Sequence, residues 1–294
     1  MAQPELRLKQ TATTTTHPKP QLAKVDRALK GDYTPSRDGV DANLLVLFHG
    51  LGDTAKPFAH LGQSLNLPQT AVLSLQAPER IPLLEEEAYQ WWESFDPLGE
   101  LIPNPNPSKT LTLLLALLDH LTAPLPSSSA SSSSSPQTGC GWHPSQIHFF
   151  GFAQGGSCAA ELALLYSRSS DPSSHLASLV AVSAPLLSHP TLASDKRSKT
   201  KVCLVYRRGG AEERSVGVAS WKKGFEHVKE VRLEGGRGRD GTMPRGMDEW
   251  REIMRFWSEV LIRKSALELS GEVYEIAGGQ AAAEQAGVKP STPK

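Results

Sequence analysis

Short apolar runs alternate with longer amphipathic ones along most of this chain. "NLLVLFHG", from Asn43 to Gly50, is apolar at nearly every position until His49-Gly50, and "AVLSLQAP" from Ala71 is a second such run. Unbroken apolar runs of this length predict parallel strands buried on both faces. "QIHFFGF" from Gln146, "LASLVAVSAP" from Leu176, "KVCLVYR" from Lys201 and "KEVRLEG" from Lys229 read as four more strands. Between them, "TLTLLLALLDHL" (Thr110–Leu121), "GGSCAAELALLYSR" (Gly155–Arg168) and "VASWKKGFEHV" (Val218–Val228) read as helices. The last, "MDEWREIMRFWSEVLIRK", repeats Trp250, Ile253, Met254, Trp257 and Leu261 at helical spacing, which predicts one apolar face. Strand alternating with helix implies an α/β class: a mainly parallel sheet with helices on both faces.

Three segments break the alternation. Residues 1–40 are rich in threonine, proline and charge; residues 123–141 are a serine-rich insert; residues 265–294 are rich in alanine, glycine and proline. Such compositions cannot bury a core, so they predict weakly ordered tails and a flexible insert around one domain of residues 41–264, with at most a short ordered piece at "GEVYEI". The 294 residues carry 31 Lys+Arg and 31 Asp+Glu, and a net charge of zero does not point to nucleic acid or an anionic membrane surface. Cys140, Cys158 and Cys203 are odd in number and scattered, with no metal or disulfide spacing, which fits a reducing compartment. The amino-terminal stretch lacks a signal-peptide core, and the longest apolar stretch, Leu111–Leu121, is too short to span a bilayer. The expectation is a cytoplasmic or nuclear protein with no cofactor and no bound metal. The basic run "DKRSKTK", Asp195–Lys201, reads as a solvated loop.

Chemistry concentrates beyond the carboxyl ends of the strands, where an open parallel sheet places its site. "FHGLGD" follows the first strand, and "GFAQGG", Gly151–Gly156, joins a strand to a helix through a glycine turn. The second is the setting of a nucleophile elbow, whose G-x-S-x-G pattern lifts a serine hydroxyl above the sheet. Here the serine position is Ala153.

"LLVLFHGLGDT", "VLSLQAPERIP", "QWWESFDPLG" and "FFGFAQGGS", in this order and spacing, resemble the phospholipase/carboxylesterase family, which includes the acyl-protein thioesterases. The resemblance runs from about Asn43 to Arg263 and implies an α/β-hydrolase fold. It implies an oxyanion hole made by the backbone N–H groups of Leu51 and Gln154, which do not depend on side chains. The triad positions it implies are Ala153 for the nucleophile, Glu213 in "EERSV" for the acid, and about Gly241 for the base. An alanine cannot be acylated, and the loop "GGRGRDGTMPRGMDEW" holds no histidine, the last in the chain being His227. Ser157 and Cys158 lie a turn beyond the elbow. His49 belongs to the HG motif. Loss of both serine and histidine reads as drift after catalysis ceased to matter. Trp91, Trp92 and Phe95 match the family's segment near the acyl-binding channel and, with His49 and Gly50, mark a candidate pocket; filling the core is the competing role.

Three functions are compatible with this reading. The first is an inactive or severely impaired thioesterase/carboxylesterase-like hydrolase that retains binding of an acyl chain, a lysophospholipid or an S-acylated protein. The second is a working carboxylesterase, thioesterase or lysophospholipase with rearranged groups, such as Ser157 with His49 and Glu213. The third is an interaction platform on a stable domain.

Overall fold

A computed structural model describes residues 7–10, 16–82, 84–125, 139–169, 175–187, 197–236, 238–239, 241–270 and 274–277. The chain divides into two units, residues 1–15 with 263–294, and residues 16–262. In the first, β1 (Arg7–Gln10) pairs antiparallel with β11 (Tyr274–Ala277), and α8 is Ala266–Ser270. Residues 126–138 of the serine-rich insert, and Asp195 and Lys196 of the basic run, lie outside the described residues.

The second unit runs α1 (Leu22–Val25), β2 (Lys30–Thr34), β3 (Asn43–Phe48), α2 (Ala55–Leu65), β4 (Thr70–Gln76), β5 (Glu79–Arg80), β6 (Tyr89–Gln90), α3 (Ser108–Thr122), β7 (Ile147–Phe152), α4 (Gln154–Ser169), β8 (Ser178–Val182), β9 (Lys201–Arg207), α5 (Ala211–Val216), α6 (Val218–Gly224), β10 (Val228–Leu233) and α7 (Gly246–Val260). Seven strands form one sheet in the order β10-β9-β8-β7-β3-β4-β2, parallel throughout except for β2. All six residues of β3 are buried. Alternation along the strand sends Leu44, Val46 and Phe48 to a core shared with α3 and α4. Leu45 and Leu47 go to the opposite core, under α2 and α7.

The helical face of α7 differs in one residue from the expected stripe. Ile253, Phe256 and Trp257 are buried, whereas Met254 is 37% exposed. Trp250 stacks on Phe150 with ring centroids 5.9 Å apart, which sets the rotation of the helix and turns Met254 outward.

β2 and α1 fall inside the segment expected to be weakly ordered. The five residues of β2 pair antiparallel with β4, Asp32 opposite Ser74, and close one edge of the sheet. The flanks of the insert are also held: Cys140 N–H donates to the His120 carbonyl and Trp142 N–H to the Leu121 carbonyl, at 3.0 and 2.9 Å. The expected helix at Val218–Val228 stops at Gly224, and His227 lies on the lead into β10.

At the amino ends of the strands a buried polar chain links three of them. His148 Nδ1 meets Ser178 Oγ at 2.8 Å, and its Nε2 meets Asn43 Oδ1 at 3.2 Å. Asn43 in turn holds both the N–H and the carbonyl of Ile262, just past α7, at 2.9 Å each. Burial pushes the His148 imidazole down to about 3.

Candidate functional site

The first wall of the site is the turn after β3. His49 is wholly buried. Its Nδ1 lies 2.7 Å from the Gly50 carbonyl, which only accepts, so Nδ1 carries the proton. Its Nε2 accepts from the Ala77 N–H and the Gln76 amide, both at 3.0 Å. Burial lowers its pKa against the opposing pull of the Gly50 carbonyl and Asp53. With both nitrogens occupied, this histidine holds the turn rather than accepting a substrate proton. The Trp91 indole N–H donates to the His49 carbonyl at 2.8 Å, and Gly52 N–H donates to the Tyr89 carbonyl at 2.9 Å. A side chain at Gly50 would strike the Phe152 ring, at 2.9 Å. The N–H of Leu51 has no acceptor among the described residues.

The second wall is the elbow between β7 and α4. Ala153 sits at φ +47°, a left-handed conformation that costs an ordinary side chain about 1 kcal/mol or more. Its own N–H donates to the Val182 carbonyl at 2.8 Å, so the strain is held by the sheet. The glycines around it are sterically required. A Cβ on Gly155 would come within 2.2 Å of the His49 carbonyl, and one on Gly151 within 2.5 Å of Gly156 Cα. Gln154 opens the 16-residue helix α4, and its N–H has no acceptor among the described residues. Its side chain is fully used: Oε1 accepts the Trp91 N–H at 2.8 Å and Nε2 donates to Ser94 Oγ at 2.7 Å. Two free N–H groups, one from each wall, are therefore fixed by side-chain bonds beneath them.

The third wall comes from the loops after β9 and β10. Glu213, the acid suggested by the sequence, accepts the Gly209 N–H at 2.8 Å and closes the turn into α5. The neighbouring Glu212 is the buried one. Its Oε1 accepts from Ser183 Oγ at 2.6 Å and from the Arg207 N–H at 3.1 Å, and its Oε2 accepts the Gly241 N–H at 2.8 Å. Gly241 has φ +64° and open space where a side chain would project.

The same loop is wrapped around Arg207, which is 1% exposed at the end of β9. Its guanidinium binds the Glu249 carboxylate through two bonds of 2.8 and 3.0 Å. It also donates to the carbonyls of Glu234 and Met243 and to Thr242 Oγ1. The Arg207 hydrogen bonds hold Glu249 down at about 2. Motif reading missed both residues, whose contact spans 42 positions of sequence.

The substitute groups do not converge. Ser157 Oγ donates to the Pro185 carbonyl at 2.6 Å and lies 3.4 Å from the Ala153 carbonyl. Cys158 is wholly buried, and burial pushes its thiol well above the usual range. His227 is exposed beside Glu226. Of the aromatic residues, Trp91 and Trp92 are core, with Trp91 locked between Phe48 and His49. Phe95 is half-buried and bridges to Leu101. A cleft of about 370 Å³ opens beside α3, with apolar walls from Val25, Pro78, Leu113 and Ala116. Its floor residue Thr110 donates through its hydroxyl to the Trp91 carbonyl.

Residues 34–261 match the family model described as phospholipase/carboxylesterase. An uncharacterized hydrolase of Mycosarcoma maydis is 38% identical over 248 residues, 83% of this chain and 86% of that protein. One of Schizosaccharomyces pombe is 34% identical over 122 residues, 40% of this chain and 44% of that protein. Among solved structures, esterase PE8 aligns with TM-score 0.58 at 20% identity, covering 79% of this chain and 99% of that one. Zea mays acyl-protein thioesterase 2 aligns with TM-score 0.55 at 16% identity, again over 79% and 99%. At these identities the structural likeness speaks for the fold.

Proposed function

The chain belongs to the phospholipase/carboxylesterase family of α/β-hydrolases, and within that family we propose that it is a hydrolytically silent member that keeps the carbonyl-binding half of the site. The single observation that carries this reading is the elbow itself: its strained apex is built and held, yet it presents the methyl group of Ala153. Acyl transfer needs a nucleophile, a base within about 3 Å of it, and donors facing the developing oxyanion. Here Ala153 replaces the first and Gly241 stands at the second.

Glu212, rather than Glu213, takes the acid position in this reading, because it reaches Gly241. With no imidazole to orient, its oxygens are spent on Ser183, Arg207 and Gly241. The two free N–H groups of Leu51 and Gln154 can still hold the oxygen of an ester, thioester or carboxylate. An oxyanion hole and binding alone leave roughly 10³–10⁴-fold acceleration over water, far below a working enzyme. The cleft beside α3, apolar at Val25, Pro78, Leu113 and Ala116 and charged at Asp26, Glu79 and Lys109, is of a size to take part of an acyl chain. The ligand classes that fit are an acyl chain, a lysophospholipid or an S-acylated protein. A cytoplasmic or nuclear location is part of the same proposal.

A rearranged enzyme using Ser157, His49 and Glu213 is disfavoured, since each of the three is bonded elsewhere. The test is direct. Purified protein is mixed with a short-chain p-nitrophenyl ester and with a palmitoyl thioester, while binding of a fluorescent palmitoyl probe is followed in parallel. Saturable binding without turnover is expected; saturable turnover overturns the reading.

A further inference from the structure

We propose that the rim of this site on the side of β5 and β6 is a docking surface for a basic, amphipathic segment of a partner protein. The rim consists of two successive hairpins. In the first, β5 and β6 pair antiparallel, Ile81 N–H donates to the Ala88 carbonyl at 2.8 Å, and the tip carries Leu84 with Glu85, Glu86 and Glu87. In the second, Phe95 bridges Leu101, and Ile102 N–H donates to the Ser94 carbonyl at 2.9 Å. Its tip is fixed by Asp96, whose Oδ1 accepts the N–H groups of Leu98 and Glu100, both at 2.9 Å.

Both hairpins are tied to the segments that carry the free N–H groups. Tyr89 accepts from Gly52, next to Leu51, and Ser94 accepts from the Gln154 side chain. The bases of both hairpins therefore adjoin the turns after β3 and β7.

The composition of the rim is unlike that of the whole chain. From Glu79 to Ile102 there are seven carboxylates and one cation, Arg80, a net of −6 in a protein whose overall charge is zero. Glu79 is neutralised by Lys109 at 3.0 Å. The carboxylates of Glu85, Glu86, Glu87, Glu93 and Glu100 are exposed and have no ion-pair partner among the described residues. Among them stand three bare leucines: Leu84 is 48% exposed, Leu101 67% and Leu98 87%.

Isolated exposed leucines are ordinary, but three on two successive hairpins, each among unpaired carboxylates, make a mixed apolar and anionic rim. Its complement alternates lysine or arginine with apolar side chains. An anionic lipid surface is repelled by this charge. Electrostatic complementarity of this kind steers encounter and selects the partner, while burial of the leucines slows release. The inference deepens the proposed function, on which it rests for the ligand classes, and selects the S-acylated protein among them: one whose modified residue is flanked by basic residues.

The experiment measures anisotropy of a fluorescein-labelled Lys/Leu peptide with the full chain, at low and physiological salt. An acidic Glu/Leu peptide and vesicles of phosphatidylcholine, with and without phosphatidylserine, run beside it. Saturable binding of the basic peptide alone is expected, weakening as salt screens the rim. Reversal of Glu85, Glu86 and Glu87 to Lys should weaken it by about tenfold or more at low salt. Leu98→Ser with Leu101→Ser should weaken it about equally at both salts. No binding at low salt, or binding indifferent to both sets of substitutions, overturns the proposal, as does vesicle binding without peptide binding. The peptide carries no acyl group, and ester hydrolysis is assayed on the same samples. Failure of the rim and failure of the silent-elbow reading therefore give different results.

Discussion

Glu212 and Gly241 meet across the carboxyl end of the sheet, the carboxylate accepting the glycine N–H at 2.8 Å. In the proposed reading, this junction stands where the family's acid would orient a histidine. The carboxylate holds backbone at Arg207 and Gly241. The loop it holds is fixed a second time by Arg207, so this corner is an ionic core.

Arg207 should accordingly be worth more to stability than to any chemistry. Arg207→Met strips the two-bond partner from the Glu249 carboxylate, leaving it the Arg245 N–H and, at 3.8 Å, Arg239. A loss of about 2–3 kcal/mol is expected, below the full cost of a broken buried pair. Urea unfolding at neutral pH measures it. Loss of less than about 1 kcal/mol would show that the loop is held by other means.

The pH dependence of that corner follows from Glu249, whose folded pKa is depressed to about 2 from 4.5. A depressed carboxylate adds stability that is complete above its unfolded value and lost as pH falls toward its folded one. Stability should thus decline between about 4.5 and about 2, and Glu249→Gln should flatten part of that decline. Glu230, also held down at about 2 through Lys222, supplies a further part.

His148 acts in a higher window and with a different sign of charge. Its folded pKa is about 3 against 6.5, so the unfolded chain takes up a proton first and stability falls as pH drops through that interval. The slope is up to about 1.4 kcal/mol per pH unit. His148→Gln should remove its own part of the slope above pH 4.5, leaving the shares of His49 and His120, whose pKa values burial also lowers. An unchanged slope in chemical unfolding between pH 6.5 and 4.5 would contradict the buried neutral histidine.

Gly155→Ala tests how tightly the two walls close. The added methyl meets the His49 carbonyl at 2.2 Å and the Phe48 carbonyl at 2.5 Å, and neither is a side chain that can swing away. A loss of about 3 kcal/mol is expected in thermal or urea unfolding. A neutral substitution would mean that the turns are looser than their hydrogen bonds imply.

The central strands, α3, α4 and the two glycine turns are legible in the sequence because burial on both faces leaves unbroken apolar runs. β2 was not legible: an edge strand pairs on one side only, and "KGDYT" is polar enough to pass for a tail. α2 was missed because its packing face is Ala55, Phe58, Ala59 and Gly62, where small size rather than hydrophobicity does the fitting. A Cβ on Gly62 would meet Val72 at 2.6 Å. At the site, the tight turn that carries Ala153 could be read directly, since its glycines lie in the motif. Which glutamate reaches Gly241 could not be read. Glu212 and Glu213 are neighbours on a six-residue helix, and only the turn of that helix decides which one faces Gly241. Arg207 was invisible because its partners lie 27 to 42 positions further along the chain.

The most direct test of the silent elbow is to restore what it lacks. Hydrolysis of p-nitrophenyl butyrate and a palmitoyl thioester is compared for the parent, Ala153→Ser, and Ala153→Ser with Gly241→His. Histidine is among the side chains better tolerated at positive φ, and Gly241 has the room for it. The parent and the single variant should show no saturable turnover. The double variant should exceed both by about 10²-fold or more, the contribution expected of a positioned base. Saturable turnover by the parent that Ser157→Ala abolishes would contradict the account, and an inert, folded double variant would contradict an intact carbonyl-binding site.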